Sequence, residues 1–100
     1  MIILAIDPGF ERIGIAILKK DLKGEKLIYS ECFSTSAKEE FVNRLKKIGE
    51  KLEIIIEKYK PEALSIETLF LTTNHKTVML VSEARGVILY EAIRQRQLNP

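Results

Sequence analysis

One hundred residues, 46% hydrophobic and 30% charged, fit one small globular domain and exclude a disordered or low-complexity chain. The lone Cys32 rules out a disulfide framework or a cysteine metal knuckle, and the lone His75 rules out chemistry that needs two histidines. Sixteen Lys and Arg against fourteen Asp and Glu leave a net charge of +2, which neither requires nor forbids nucleic acid, because binding depends on where charge clusters.

The apolar start, Ile2-Ile3-Leu4-Ala5-Ile6, is too short for a secretion signal, has no basic residues before it, and is stopped by Asp7. No stretch approaches the roughly 20 apolar residues of a membrane span, so a soluble, cytoplasmic chain with no membrane partner is expected. Ile2 to Ile6 reads instead as a strand buried on both faces, ended by Asp7-Pro8-Gly9. Ile13 to Leu18 reads as a second strand, with Ile13, Ile15 and Ile17 on one face. Lys19 to Glu25, containing Gly24, is a polar hairpin connection to a third strand, Lys26 to Phe33, whose polarity suits a sheet edge.

The period then changes. Ser36 followed by Glu39 matches a capping box. Phe41, Leu45, Ile48, Leu52, Ile55 and Tyr59 recur as one face of an amphipathic helix. Lys46, Lys47, Lys51, Lys58 and Lys60 alternate with Glu50, Glu53 and Glu57 and read as a solvated, locally paired face. Pro61 closes the helix; Ala63 to Ile66 is a short strand ending at Glu67; Thr72-Thr73-Asn74 offers caps for a second helix reaching about Arg96. The order β-β-β-α-β-α predicts an antiparallel meander, then a crossover helix leading to a fourth strand parallel to the first, in an α/β layered domain.

Asp7 and Glu67 each follow an apolar strand. If those strands are parallel neighbours, the two carboxylates stand at one sheet edge about 4.8 Å apart. Acids that close repel unless a cation neutralises them, and oxygen ligands suit magnesium or manganese. The same acids would also serve as ordinary strand-end residues capping turns.

Ile6-Asp7-Pro8-Gly9 with Arg12-Ile13-Gly14-Ile15-Ala16, Ile66-Glu67-Thr68-Leu69-Phe70 with Asn74, and Ser82-Glu83-Ala84-Arg85-Gly86 together resemble the RuvC-type Holliday-junction resolvases, in order and in spacing. The resemblance spans the chain and implies a ribonuclease H-like mixed sheet of about five strands with helices on both faces. It further implies magnesium-dependent cutting of four-way DNA junctions, with Asp7 and Glu67 as catalytic metal ligands and manganese as a possible substitute. Phe70 corresponds to an aromatic that intrudes at the branch point; unaided, an aromatic at this position packs onto the following helix. Thr72, Thr73, Asn74 and Lys76 would contact phosphate, cap the helix, or do both, and His75 reads as a solvated helix-start residue.

Resolvases of this type continue with a fifth strand and a final helix bearing two further acids. The resemblance therefore covers the N-terminal two-thirds of such an enzyme, and residues 1–100 are expected to be one nuclease domain lacking its C-terminal part and not competent alone. Glu83 and Glu91, on the second helix, are poor replacements for those acids. That helix should turn Val81, Ala84, Ile88 and Ala92 to the sheet, leaving Met79, Ser82, Gly86, Tyr90 and Ile93 for a partner, or for a further C-terminal segment to bury. The resemblance implies a twofold homodimer there, and association with a branch-migration helicase. Two rivals stand beside it: a non-catalytic junction-binding module, and an actin-like ATPase, disfavoured because Asp7-Pro8-Gly9 lacks a glycine- and threonine-rich phosphate hairpin.

Overall fold

The computed structural model describes residues 1–9, 11–66 and 75–96, with side chains in the last helix from residue 78 onward. Its elements are β1 (Ile2–Pro8), β2 (Arg12–Asp21), β3 (Gly24–Ser34), α1 (Phe41–Tyr59), β4 (Ala63–Ile66) and α2 (His75–Arg96), in the order the patterning predicts. Among the described residues no helix is long and apolar enough to cross a membrane.

Alternation along β2 sets the direction in which the sheet faces. Ile13, Ile15 and Ile17 are buried, whereas Gly14, Ala16 and Leu18 are half-buried and Arg12 is exposed. The strand order is β3-β2-β1-β4. β1 runs antiparallel to β2, with Asp7 opposite Gly14, and parallel to β4, with Ile6 opposite Ile66. β3 takes the edge, as its polarity predicts.

One core forms on one side of this sheet. Leu4, Ile6, the three β2 isoleucines and Leu64 meet Ile48, Leu52, Ile55 and Ile56 of α1 and Ala84, Ile88 and Ala92 of α2. Leu4, Ile17, Leu52, Ile56 and Ile88 are fully buried, each contributing about 1.5–3 kcal/mol by leaving water. The α2 stripe is buried as expected, but it rests mainly on α1 and meets the sheet chiefly at β1. Two helices side by side cover the narrow sheet unequally.

Several expectations need correction. β1 is not buried on both faces: Leu4, Ile6 and Pro8 are buried, Ile3 and Ala5 are half-buried and Asp7 is exposed, because both helices lie on one side. The hairpin loop is much shorter than Lys19 to Glu25, since pairing runs through Asp21 opposite Gly24 and leaves only Leu22 and Lys23 in the turn. Gly24 sits at φ +122, a conformation that L side chains rarely adopt, and Asp21 Oδ1 accepts from Lys23 N at 2.8 Å. The capping box does not form. α1 begins after Glu40 with no side-chain cap; Ser36 Oγ accepts from Lys38 N at 3.2 Å, and Glu39 pairs with Lys47. Lys51 leaves the solvated face, bonding Glu31 of β3 at 2.8 Å and lying over the Phe33 ring, while Lys46 keeps its helical partner Glu50 at 3.8 Å. The helix closes on Lys60 at φ 48, whose N–H bonds Ile56 O at 2.9 Å. Glu62 N then bonds Ile2 O at 2.8 Å, stitching the start of β4 to β1.

Candidate active site

Asp7 stands near the carboxyl end of the central strand, on the face opposite the helices, and is exposed. The residue across from it is Gly14, and the fit is close: a Cβ there would lie 3.3 Å from Asp7 Cβ, so a larger residue would displace the Asp7 side chain by a few tenths of an ångström. Gly9 has a separate steric reason, because a Cβ at that position would fall 2.1 Å from the Arg12 carbonyl oxygen and block the turn out of β1.

Continuing across the sheet, Cys32 of β3 lies opposite Gly14, while Ser65, Ala5, Ala16 and Ser30 form the next row. These small side chains floor an open depression of about 580 Å³ with Asp7 on its rim. Asp7 has no ion pair or side-chain hydrogen bond among the described residues, so its oxygens are available as hard ligands. Among the described residues no group of three His, Cys, Asp or Glu could hold a metal ion.

Several expected site residues lie outside the described residues: Glu67, Phe70, Thr72, Thr73 and Asn74, together with the side chains of His75 and Lys76. β4 ends at Ile66, the register partner of Ile6, so each partner immediately precedes one of the two acids in sequence. Glu83 is exposed on α2, and Glu91 is buried there, accepting from Arg94 Nη2 at 2.7 Å and Gln95 Nε2 at 2.8 Å. Neither lies on the Asp7 face. Met79, Tyr90 and Ile93 are 63%, 61% and 43% exposed, and Ser82 and Gly86 are exposed beside them.

A second polar cluster occupies the helix side of β3. Tyr29 donates to Glu31, which also takes the Lys51 ammonium, and the Tyr29 ring stacks on Tyr59 at 5.4 Å. The hydrogen bond to Glu31, then burial and the Glu31 charge, push the Tyr29 phenol up to about 12. Burial pushes the Glu31 carboxyl up, but the hydrogen bonds from Lys51 and Tyr29 and the lysine's charge outweigh it and hold the carboxyl below its usual range. Sequence reasoning missed this cluster. Its signal was available in the alternation of Tyr29, Glu31 and Phe33, which places all three on one face.

An antiparallel meander extended by one parallel strand, backed by two helices and bearing an acid at the end of its central strand, places the chain in the ribonuclease H-like class. The family model described as crossover junction endodeoxyribonuclease RuvC matches residues 3–99, and the chain belongs to that family. The crossover junction endodeoxyribonuclease RuvC of Alkaliphilus metalliredigens is 42% identical over 99 residues, covering 98% of this chain and 60% of its own length. That of Brachyspira hyodysenteriae is 43% identical over 89 residues, covering 89% of this chain and 56% of its own length. The chain thus spans about 60% of such relatives. In fold it overlays Thermus thermophilus RuvC in complex with a Holliday junction substrate at a TM-score of 0.88 and 23% identity, over 94% of this chain and 60% of that one. A second Thermus thermophilus RuvC structure gives 0.84 at 26% identity.

Proposed function

We propose that this chain forms part of a metal-dependent endonuclease that cuts four-way DNA junctions, with Asp7 and Glu67 as the acids that hold a divalent cation. One observation carries the reading: the parallel register of β1 and β4 sets Ile6 opposite Ile66, and each is followed in sequence by one of these acids. Asp7 fits the chemistry of such an ion, being an exposed carboxylate, without a partner among the described residues, at the carboxyl end of the strand, where ligands of open α/β sheets bind. Magnesium is the expected ion, with manganese as its substitute. When bound, such an ion neutralises phosphate charge and makes a water more acidic. Asp7 and Glu67 anchor it, and the open floor beside Gly14 leaves room for the DNA backbone.

Phe70 is assigned to the branch point, and Thr72, Thr73, Asn74 and Lys76 to phosphates at the start of α2. The exposed α2 face bearing Met79, Ser82, Gly86, Tyr90 and Ile93 is assigned to a homodimer, whose twofold axis matches paired cuts on a four-way junction. A cytoplasmic setting and a branch-migration helicase partner belong to the same reading, which treats residues 1–100 as one nuclease unit.

The test is a magnesium-dependent nicking assay on a four-way junction, run with this chain and with a version at the length of its relatives. Cleavage by the longer version alone, lost in Asp7→Asn, is the expected result. Cleavage that survives Asp7→Asn refutes the assignment, and tight junction binding without cleavage by either version would make the chain a binding module. Gly86→Glu, at a position where an added Cβ would meet nothing within 4 Å beyond its own helix among the described residues, should convert dimer to monomer in light scattering; a monomer before substitution would remove the dimer assignment.

A further inference from the structure

We propose that Arg12 is a DNA-contacting residue of this same site, gripping a backbone phosphate beside the cation anchored by Asp7; the inference rests on the nuclease reading above. Strand alternation decides the face. Ile13 is buried against the helices, so Arg12, with Gly14 and Ala16, stands on the face that carries Asp7. Asp7 pairs with Gly14, and Arg12 is two residues further toward the same sheet edge. The acid and the arginine are therefore diagonal neighbours, about 7–8 Å apart at the backbone.

What sets Arg12 apart is that, among the described residues, nothing engages its guanidinium. Arg44 is buried, donating to Thr35 Oγ1 at 2.8 Å and lying over the Phe41 ring. Arg94 bonds Glu91 and lies 3.6 Å from Glu53; Arg96 donates to the Pro61 carbonyl at 3.2 Å; Arg85 also has a partner. Arg12 is exposed and makes no ion pair, hydrogen bond or ring contact among the described residues. No side chain at position 14 stands between it and Asp7.

The chemistry fits a phosphodiester. One divalent cation offsets the charge of two acids but leaves that of the phosphate itself. A guanidinium offers a planar fork of donors to the non-bridging oxygens, and it keeps its charge at any working pH. A lysine could match the charge but not the two-point geometry.

The test measures binding of a labelled four-way junction by anisotropy across a salt series in magnesium. Arg12→Gln should weaken binding about tenfold, the loss of one charged hydrogen-bonded contact, and should flatten the log–log salt slope by about 0.9. Arg12→Lys should restore the slope and only part of the affinity. Lys46→Gln, on the opposite layer and 76% exposed, should change neither. Unchanged affinity and slope in Arg12→Gln overturn the proposal. Two NMR measurements on the same chain keep the failures separate. Manganese should broaden the Asp7 and Gly14 amides in the parent and in Arg12→Gln but not in Asp7→Asn; broadening that survives Asp7→Asn sinks the nuclease reading itself. Inorganic phosphate added to the magnesium-loaded chain should shift the Arg12 Nε–H signal. No shift there, while the Asp7 amide still responds to magnesium, overturns the Arg12 assignment alone.

Discussion

Gly49 lies buried in the middle of α1, where α1 meets α2, and offers a sharp test of that contact. A Cβ built on it would lie 3.4 Å from Val87 Cγ1 and 3.8 Å from Glu91 Oε1, which is ordinary van der Waals distance. An alanine therefore fits without moving either helix. It also removes the intrinsic penalty of glycine inside a helix, about 0.8–1.0 kcal/mol. Gly49→Ala should accordingly stabilise the domain by about 1 kcal/mol and raise Tm by about 4–8 °C for a chain of this size. Gly49→Leu has nowhere to put its extra carbons except into Val87 and the Glu91 carboxylate, so it should cost about 1–3 kcal/mol as overpacking. The prediction is the change of sign between two apolar substitutions at one position. Thermal melts followed by far-UV circular dichroism read it directly. A fall in Tm for Gly49→Ala would mean that the helices approach more closely than 3.4 Å and would refute the argument.

Leu52→Ala, at a fully buried position, should cost about 2–5 kcal/mol, while Ile54→Ala on the exposed side of the same helix should stay within about 0.5 kcal/mol, both read by urea denaturation. Ultraviolet titration should find one of the three tyrosines ionising near 12, and Glu31→Gln should bring it back toward 10.0. The Tyr29 hydrogen bond contributes fully below the ordinary phenol pKa and is lost as pH rises through its raised value. The lowered Glu31 carboxyl contributes above the ordinary carboxylate range and is lost as pH falls through its own. Lys60→Gly, at φ 48, should raise stability by about 1 kcal/mol by removing a left-handed side-chain clash; a lower Tm would show that the Lys60 stem packs usefully.

Element order and type were readable because the periods are clean. The β-branched alternation Ile13-Ile15-Ile17 and the helical recurrence from Ile48 to Ile55 each have one physical solution. Strand ends were less readable, since Asp21 and Gly24 pair in a two-residue turn whose polar residues look like a longer loop. The capping box failed because Ser36 spends its oxygen on Lys38 N in a local turn, and Glu39 turns to Lys47. The two-sided burial of β1 was misjudged from composition alone, which cannot say on which side helices land. At the site, Asp7 was legible from its place after an apolar strand. The tight fit at Gly14 was not, because it arises across a strand pair and not along the chain. Lys51 was misread for a similar reason: its partner Glu31 is on another element.

β1 joins neighbours that differ greatly in distance along the chain. Its pairing with β2 closes through the short connection at residues 9–11, and β2 meets β3 through a two-residue turn, so the meander is built from local contacts. Its pairing with β4 joins Ile3 to Ala63 and must span the whole of α1. Loop-closure entropy therefore falls almost entirely on that last strand, and slow, non-local zipping of a parallel edge should dominate the folding rate. The meander carrying Asp7 can thus be native-like before the strand that leads to Glu67 has docked. Substitutions confined to β4, whose docking limits the rate, should then slow folding, so the speed at which the site is assembled would be set by its shortest strand.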